Sequence, residues 1–91
     1  MEFEWDENKN KSNQEKHGID FNDAKDIFND PNRINSEDNR KDYGEKRWIA
    51  IGMVANIFLT VVYTIRDAAI RIISARRSNR KERQAYNDNK Q

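Results

Sequence analysis

No cysteine occurs in the 91 residues, which excludes a disulfide framework and a thiolate zinc site. A single histidine is too few for a histidine-built metal centre. The three glycines form no phosphate-cradling loop, so neither a metal nor a cofactor is expected. Apolar runs are short as well. The longest, around Ile57 to Tyr63, falls far below the ~20 residues that span a bilayer. The acidic start, MEFEWDEN, is unlike a basic signal-peptide start, and a cytoplasmic location is expected. There are no internal repeats and no Pro- or Gly-rich linker, so residues 1–91 read as one domain with a modest core.

What the chain does have is charge. Charged residues make up 36% of it, against 35% hydrophobic, a polar balance that suggests a protein working with a partner. The net charge of +1 conceals an asymmetry. Residues 1–45 hold seven Lys/Arg and thirteen Asp/Glu, a net of −6; residues 46–91 hold ten and three, a net of +7. A basic C-terminal half implies an anionic partner. The plainer alternative is a bipolar chain whose halves neutralise each other in the fold.

Hydrophobic patterning places the elements. Glu2 to Trp5 alternates and predicts a short edge strand. Asp6 is a suitable N-cap and Gly18 a suitable C-terminal stop for a helix from Glu7 to His17. That helix has no aliphatic or aromatic residue, so only its ends argue for it, and it must lie on the surface or against a polar partner. Asp20 caps a second helix, with Phe21, Ala24, Ile27 and Phe28 on its buried face, and Asn29-Asp30-Pro31-Asn32 stops it. Arg33 to Asp42 predicts a weak edge strand or a loop, and Tyr43-Gly44 a turn. From Glu45 to Met53 the residues alternate again, with Glu45 and Arg47 on one face. Val54-Ala55-Asn56 then turns into Ile57 to Thr64, apolar on both faces like a central strand covered on one side. After a polar break at Arg66-Asp67, Ala69 to Arg76 forms the next strand. A last helix starts at Ser78 or Asn79, with Glu82 placed for a capping box, Ala85 and Tyr86 as its docking residues, and a frayed tail from Asn87. The expected fold is α+β: a small antiparallel sheet with two N-terminal helices and one C-terminal helix, the helices on one face. The hairpin carries Arg66, Arg71, Arg76 and Arg77 out of the core, and four guanidiniums on a rigid sheet make an anion site suited to phosphate.

The same residues resemble a known family. Phe3-x-Trp5-Asp6-x-x-Lys9, Asn13, Lys16-His17-Gly18, Phe21, Ala24, Phe28 and Asp30-Pro31 carry the first half of the likeness. Gly44-Glu45-x-Arg47, Gly52, Val62-Tyr63-Thr64-x-Arg66, the RIISAR string from Arg71 to Arg76, and Glu82-Arg83-x-x-Tyr86 carry the second. The chain resembles the BrnT family, the toxin half of type II toxin–antitoxin systems, over roughly residues 3 to 86. It departs at Asp67, where the family usually has Gly, and at Arg77, where Ala is common. The resemblance implies a RelE-like fold and an endoribonuclease, independent of metal, that stops translation. It also implies a BrnA-like ribbon-helix-helix antitoxin as partner, with operator DNA met only through the antitoxin complex.

Metal-free RNA cleavage needs a base for the 2′-OH, cations for the phosphorane-like transition state, and an acid for the leaving 5′-oxygen. Arg66 and Arg76 are the first candidates for the phosphate, with Arg71 and Arg47 projecting toward the same surface. Glu45 is the candidate base, or else simply an ion-pair partner for an arginine. Arg77, Arg80, Arg83, Tyr86 and Lys9 are candidate RNA contacts. Tyr86 either stacks on a base, donates a proton or docks its helix. His17 is either catalytic or a helix C-terminal histidine beside Gly18. Lys9 and Lys16 extend the RNA path or are solvated, while Trp5 and Trp48 are expected in the core. Asp67 is positioned to weaken the Arg66 site. Three readings remain open at this point: a toxin ribonuclease, a non-catalytic nucleic-acid-binding domain, and a module whose basic half binds an acidic antitoxin segment.

Overall fold

The computed structural model describes residues 1–89. Five strands form one sheet, β1 (Glu2–Glu4), β2 (Ile34–Glu37), β3 (Trp48–Val54), β4 (Ile57–Arg66) and β5 (Ala69–Arg77), in the order β1-β5-β4-β3-β2. The most apolar stretch, β4, is the central strand, as its two-sided hydrophobicity predicts. It is flanked by two tight hairpins. Val54 pairs with Ile57 across Ala55-Asn56, and Arg66 pairs with Ala69 across Asp67-Ala68. All four turn residues have positive φ, between 49° and 66°, as a two-residue turn matching the sheet's twist requires. Neither turn has the usual Asn-Gly sequence, which is why their limits are hard to read from the residues alone.

Three helices accompany the sheet: α1 (Glu7–His17), α2 (Phe21–Ala24, continuing as a 3-10 helix over Lys25–Asn29) and α3 (Arg80–Asn89). The expected ends of α1 are found. The Asp6 carboxylate accepts from the backbone N–H of Asn8 and Lys9, and Gly18 adopts the left-handed conformation with φ 71°. Its docking is polar. The residues α1 buries are Asn10 and Asn13. Asn13 Nδ2 donates to Ala75 O at 2.8 Å, and Ala75 N donates to Asn13 Oδ1 at 3.1 Å. β1 reaches β5 only at Ala69, Ile70 and Arg71, so the amide of Asn13 supplies the missing ladder bonds farther along that edge. Asn10 binds the start of α2, accepting from Phe21 N and donating to Asp20. A helix without apolar residues is thus held by side-chain amides acting as backbone surrogates.

The core lies between one face of the sheet and α2. Phe21, Ala24 and Ile27 pack on Ala50, Leu59, Val61, Tyr63, Ile70, Ile72 and Ala75; Phe3, Trp5 and Trp48 pack against this cluster, the two tryptophans at the margin of the core rather than inside it. Gly52 permits the closest approach. A Cβ there would meet Ile27 Cγ1 at 2.8 Å and both Arg33 Cβ and Asp30 Oδ2 at 3.2 Å. At this junction Asp30 Oδ2 accepts from Met53 N and from the Tyr86 hydroxyl, each at 2.8 Å.

Several expectations need correction. The sheet is mixed rather than antiparallel, because β1 runs parallel to β5. Alternation over Glu2 to Trp5 encodes a strand but not its direction; everything between Glu4 and Ala69 serves as the long crossover that parallel pairing needs. The helices do not share one face. Tyr86 of α3 packs edge-on against Phe58, 5.4 Å between ring centroids, on the face away from the core cluster. The second helix is one α-helical turn finished by a 3-10 segment. β3 begins at Trp48, not Glu45, because Asp38 N bonds to Arg47 O and closes the ladder there, leaving Glu45 and Arg47 in the preceding loop. The tail does not fray from Asn87: α3 runs to Asn89, with Asn89 Nδ2 on Ala85 O, and residues 90 and 91 lie outside the described part.

Candidate functional site

A β-bulge decides which arginines meet. Leu59 to Val62 pair with Arg77 to Ser74, but Tyr63 pairs with Ile72, so β5 carries one extra residue at Ile73. In a regular strand, residues five apart point to opposite faces. The bulge resets the alternation, so that Arg71, opposite Thr64, and Arg76, opposite Thr60, both lie on the face of Thr60, Val62, Thr64 and Arg66. Ile70, Ile72 and Ala75 all remain on the core face. Arg66 is the last residue of β4 rather than a turn residue. Arg66, Arg71 and Arg76 therefore project from the same side of two adjacent central strands, the side opposite α2.

The loop between Asp38 and Arg47 folds over this face. Thr64 Oγ1 donates to Lys46 O at 2.6 Å, anchoring the loop on β4. Glu45 then bridges two arginines, accepting from Arg47 Nε at 3.1 Å and Arg66 Nη2 at 3.4 Å. The Arg47 guanidinium stacks over the Tyr43 ring, 4.2 Å from its centroid. Glu45 and Arg47 are together, as expected, but through a loop rather than strand alternation. Asp67 makes no ion pair with Arg66; the carboxylate that meets it is Glu45. Asp67 instead holds a positive-φ turn position, one that a glycine would occupy without strain.

Arg71 and Arg76, like Arg66, each have a carboxylate partner. Arg71 Nη1 reaches Glu4 Oε2 at 2.6 Å, and Arg76 makes a bidentate pair with Glu82 at 2.7 Å for both bonds. Glu82 also completes the capping box of α3, accepting from Asn79 N while Asn79 Oδ1 accepts from Glu82 N. Burial pushes the Glu82 carboxyl up, but the hydrogen bonds from Arg76 and the Asn79 backbone outweigh it and leave it below its ordinary value. The Arg47 hydrogen bond, aided by Arg66, holds Glu45 below its ordinary value too, so Glu45 is ionised and a weak base while both arginines grip it.

The remaining candidates are dispersed. Arg77 pairs with Leu59 and lies on the core-facing side, lining a cleft with Asp20, Asp23 and Asp26. Arg80 is exposed at the start of α3. Arg83 donates to Ser78 O at 2.8 Å. Tyr86 is 3% exposed; it docks α3 and is not available for stacking on a base. Burial and the neighbouring Asp30 carboxylate push its hydroxyl pKa up. Lys9 lines a shallow cleft of about 350 Å³ between α1 and the bulge, together with Lys16, His17, Ile73 and Ser74. Ser74, opposite Val62, belongs to the arginine face, so this cleft adjoins that face along β5.

Residues 5–82 match the ribonuclease toxin BrnT of type II toxin–antitoxin systems. The chain belongs to the BrnT family. No individually curated protein gives a significant match. The matched span includes α1, strands β2–β5 and the Asn79–Glu82 capping box, so the arginines of this face lie inside it, while Glu4 and Tyr86 lie just outside. Among the described residues no helix is long and apolar enough to cross a membrane.

Three contributors were not legible from residue type. Glu82 reads as a helix cap but also fixes Arg76. Glu4 reads as an edge-strand residue but pairs with Arg71. Asp38, in a polar loop, has a side chain closed to solvent and grips Arg40. The signal for Glu82 was present in the capping-box spacing; the other two depend on strand direction and loop path.

Proposed function

We propose that this BrnT-family chain is the toxin of a type II toxin–antitoxin pair and an endoribonuclease that needs no metal, cutting RNA on the arginine face and thereby stopping translation. The observation that carries this reading is the bulge at Ile73, which turns Arg71 and Arg76 to the same face as Arg66, the face over which the loop holds Arg47 and Glu45. A sheet stabilised for its own sake has no need of three guanidiniums on one side of its central strands. Their forks match phosphate oxygens and keep their charge at any working pH.

The chemistry follows from the contacts. An entering phosphate competes with the carboxylates for the guanidiniums. The Arg66–Glu45 contact is the longest of the ion pairs and Arg66 is half exposed, so it gives way first. Glu45, relieved of one positive neighbour, becomes a stronger base and takes the proton from the 2′-OH. The 2′-oxygen attacks phosphorus, the P–O5′ bond breaks, the 5′-oxygen takes its proton from solvent water, and the products are a 2′,3′-cyclic phosphate end and a 5′-hydroxyl end. Arg66, Arg76 and Arg71 stabilise the charge that builds on the phosphorane oxygens. Lys9 and Arg80 guide the flanking backbone. The fold is in our reading RelE-like, and the partner is a BrnA-like ribbon-helix-helix antitoxin that covers this face, with operator DNA engaged only through the complex, all in the cytoplasm.

The test uses antitoxin-free protein incubated with RNA, with and without chelator. Cleavage that survives chelator and falls at least ~10²-fold in Arg66→Ala or Arg76→Ala supports the reading. Binding without cleavage in the wild type points to a non-catalytic nucleic-acid-binding domain instead, and neither binding nor cleavage leaves only an antitoxin-binding role.

A further inference from the structure

The arginines of the sheet do not exhaust the cations on this face. Arg40, in the loop after β2, is 62% exposed along its side chain, yet it is not loose. Its Nε donates to Asp38 Oδ1 and its Nη2 to Asp38 Oδ2, both at 2.8 Å. The Asp38 side chain has 0% exposure, and it also receives the Tyr43 hydroxyl at 3.0 Å and the Arg40 backbone N–H. Tyr43 is in turn covered by Arg47, the partner of Glu45. A closed-off carboxylate in a polar loop, saturated with donors, orients one guanidinium and leaves the rest of it to solvent. The loop's anchor on Thr64 brings this assembly over β4.

The loop also brings like charges within reach of one another. Tyr43 links the two guanidiniums of the loop, its hydroxyl on the carboxylate that holds Arg40 and its ring under Arg47, and the charge of Arg40 also reaches Arg76, more weakly than the Glu82 carboxylate does. Like charges brought together by separate rigid supports are relieved by an anion between them. The same construction appears twice: Asp38 holds Arg40, and Glu82 holds Arg76 by two bonds.

We infer that Arg40 is a further phosphate-binding residue of this face, working beside Arg47 and Arg66 on the RNA backbone, with Asp38 as its positioning residue. The inference rests on the RNA-binding reading of the face. It adds a residue that lies outside the sheet and a role for the loop from Asp38 to Arg47. Bidentate holding by Asp38 removes most of the guanidinium's freedom before RNA arrives, so less ordering is lost on binding.

The test measures binding of a short 2′-O-methyl oligoribonucleotide, which cannot be cut, across a salt series. Wild type is expected to bind with a steep salt dependence. Arg40→Ala is expected to weaken binding about fivefold to tenfold at low salt and to flatten the log–log slope by ~0.7, one phosphate contact fewer on a single strand. Asp38→Asn keeps the charge but loosens its holder, so the slope stays while affinity falls. Should Arg40→Ala fold poorly with Asp38 left unpaired, Arg40→Ala combined with Asp38→Asn removes the stranded carboxylate and gives the same comparison. A folded Arg40 variant with wild-type affinity and slope overturns the inference and leaves the face intact. A wild type that does not bind at all overturns the RNA-binding reading together with it.

Discussion

At the scale of single residues, the structure depends on a few side chains whose roles are backbone-like or steric. Asn13 is one. Its amide satisfies both backbone groups of Ala75 at an uncovered strand edge. Asn13→Ala strands a buried N–H and C=O and is expected to cost about 2–3 kcal/mol in chemical denaturation. Asn13→Asp, which accepts but cannot donate, should be nearly as harmful. Gly52→Ala is the steric counterpart. Its methyl would sit 2.8 Å from Ile27 Cγ1, which is buried and cannot retreat, so about 1–3 kcal/mol of destabilisation is expected. Tyr86→Phe separates docking from recognition. It loses the hydroxyl bond to Asp30 and about 1 kcal/mol of stability, and RNA affinity should not change. A large loss of affinity in a folded Tyr86→Phe would return Tyr86 to the RNA site. Glu45→Gln separates base from ion pair: cleavage should fall by ~10²-fold or more while RNA binding holds or improves, because a competing carboxylate is gone. Unchanged cleavage would reduce Glu45 to a salt-bridge partner.

At the scale of elements, local rules were legible and long-range ones were not. The caps of α1 and α3 could be read because Asp6, Gly18, Asn79 and Glu82 act within a turn of the backbone they satisfy. The strands β4 and β5 could be read because their apolar content is high. The direction of β1, the bulge at Ile73 and the path from Asp38 to Arg47 could not, since each is set by residues tens of positions away. Simple alternation over β5 would put Arg71 and Arg76 on opposite faces, so the expectation that both meet one surface is met only through a bulge that the pattern does not show. The two hairpins carry a cost of their own. Ala68 sits at φ 66°, where a Cβ is disfavoured, and Ala68→Gly is expected to raise stability by about 0.5–1 kcal/mol, read as a higher denaturation midpoint. α3 responds to pH through Glu82. Its folded pKa lies below the ordinary 4.5, so the Arg76 and Asn79 bonds stabilise the native state fully above that value. The contribution is lost as pH falls through the folded pKa, and Asp20, below its ordinary 3.8, adds to the loss in the same sense. Thermal midpoints should be level above about pH 5 and drop below pH 4. Glu82→Gln should weaken that dependence.

At the scale of the molecule, the uneven charge of the chain becomes a two-sided protein. Asp20, Asp23 and Asp26 gather on the helix side near Arg77, while Arg66, Arg71 and Arg76 occupy the other side of the sheet with the loop's Arg40 and Arg47. Neutralisation between the halves is only partial: Glu4, Glu45 and Glu82 pair with arginines across the face and leave them accessible to a stronger anion. Under the proposed function, RNA binds this arginine face and not the helix side. NMR titration of antitoxin-free protein with a non-cleavable oligoribonucleotide tests it most directly. Shifts are predicted to concentrate at Arg66, Arg71, Arg76, the Tyr43–Arg47 loop and the cleft beside Ile73, with Phe21, Ile27 and the Asp20–Asp26 segment unmoved. Shifts centred on α2 and Arg77, with the arginine face silent, would contradict it.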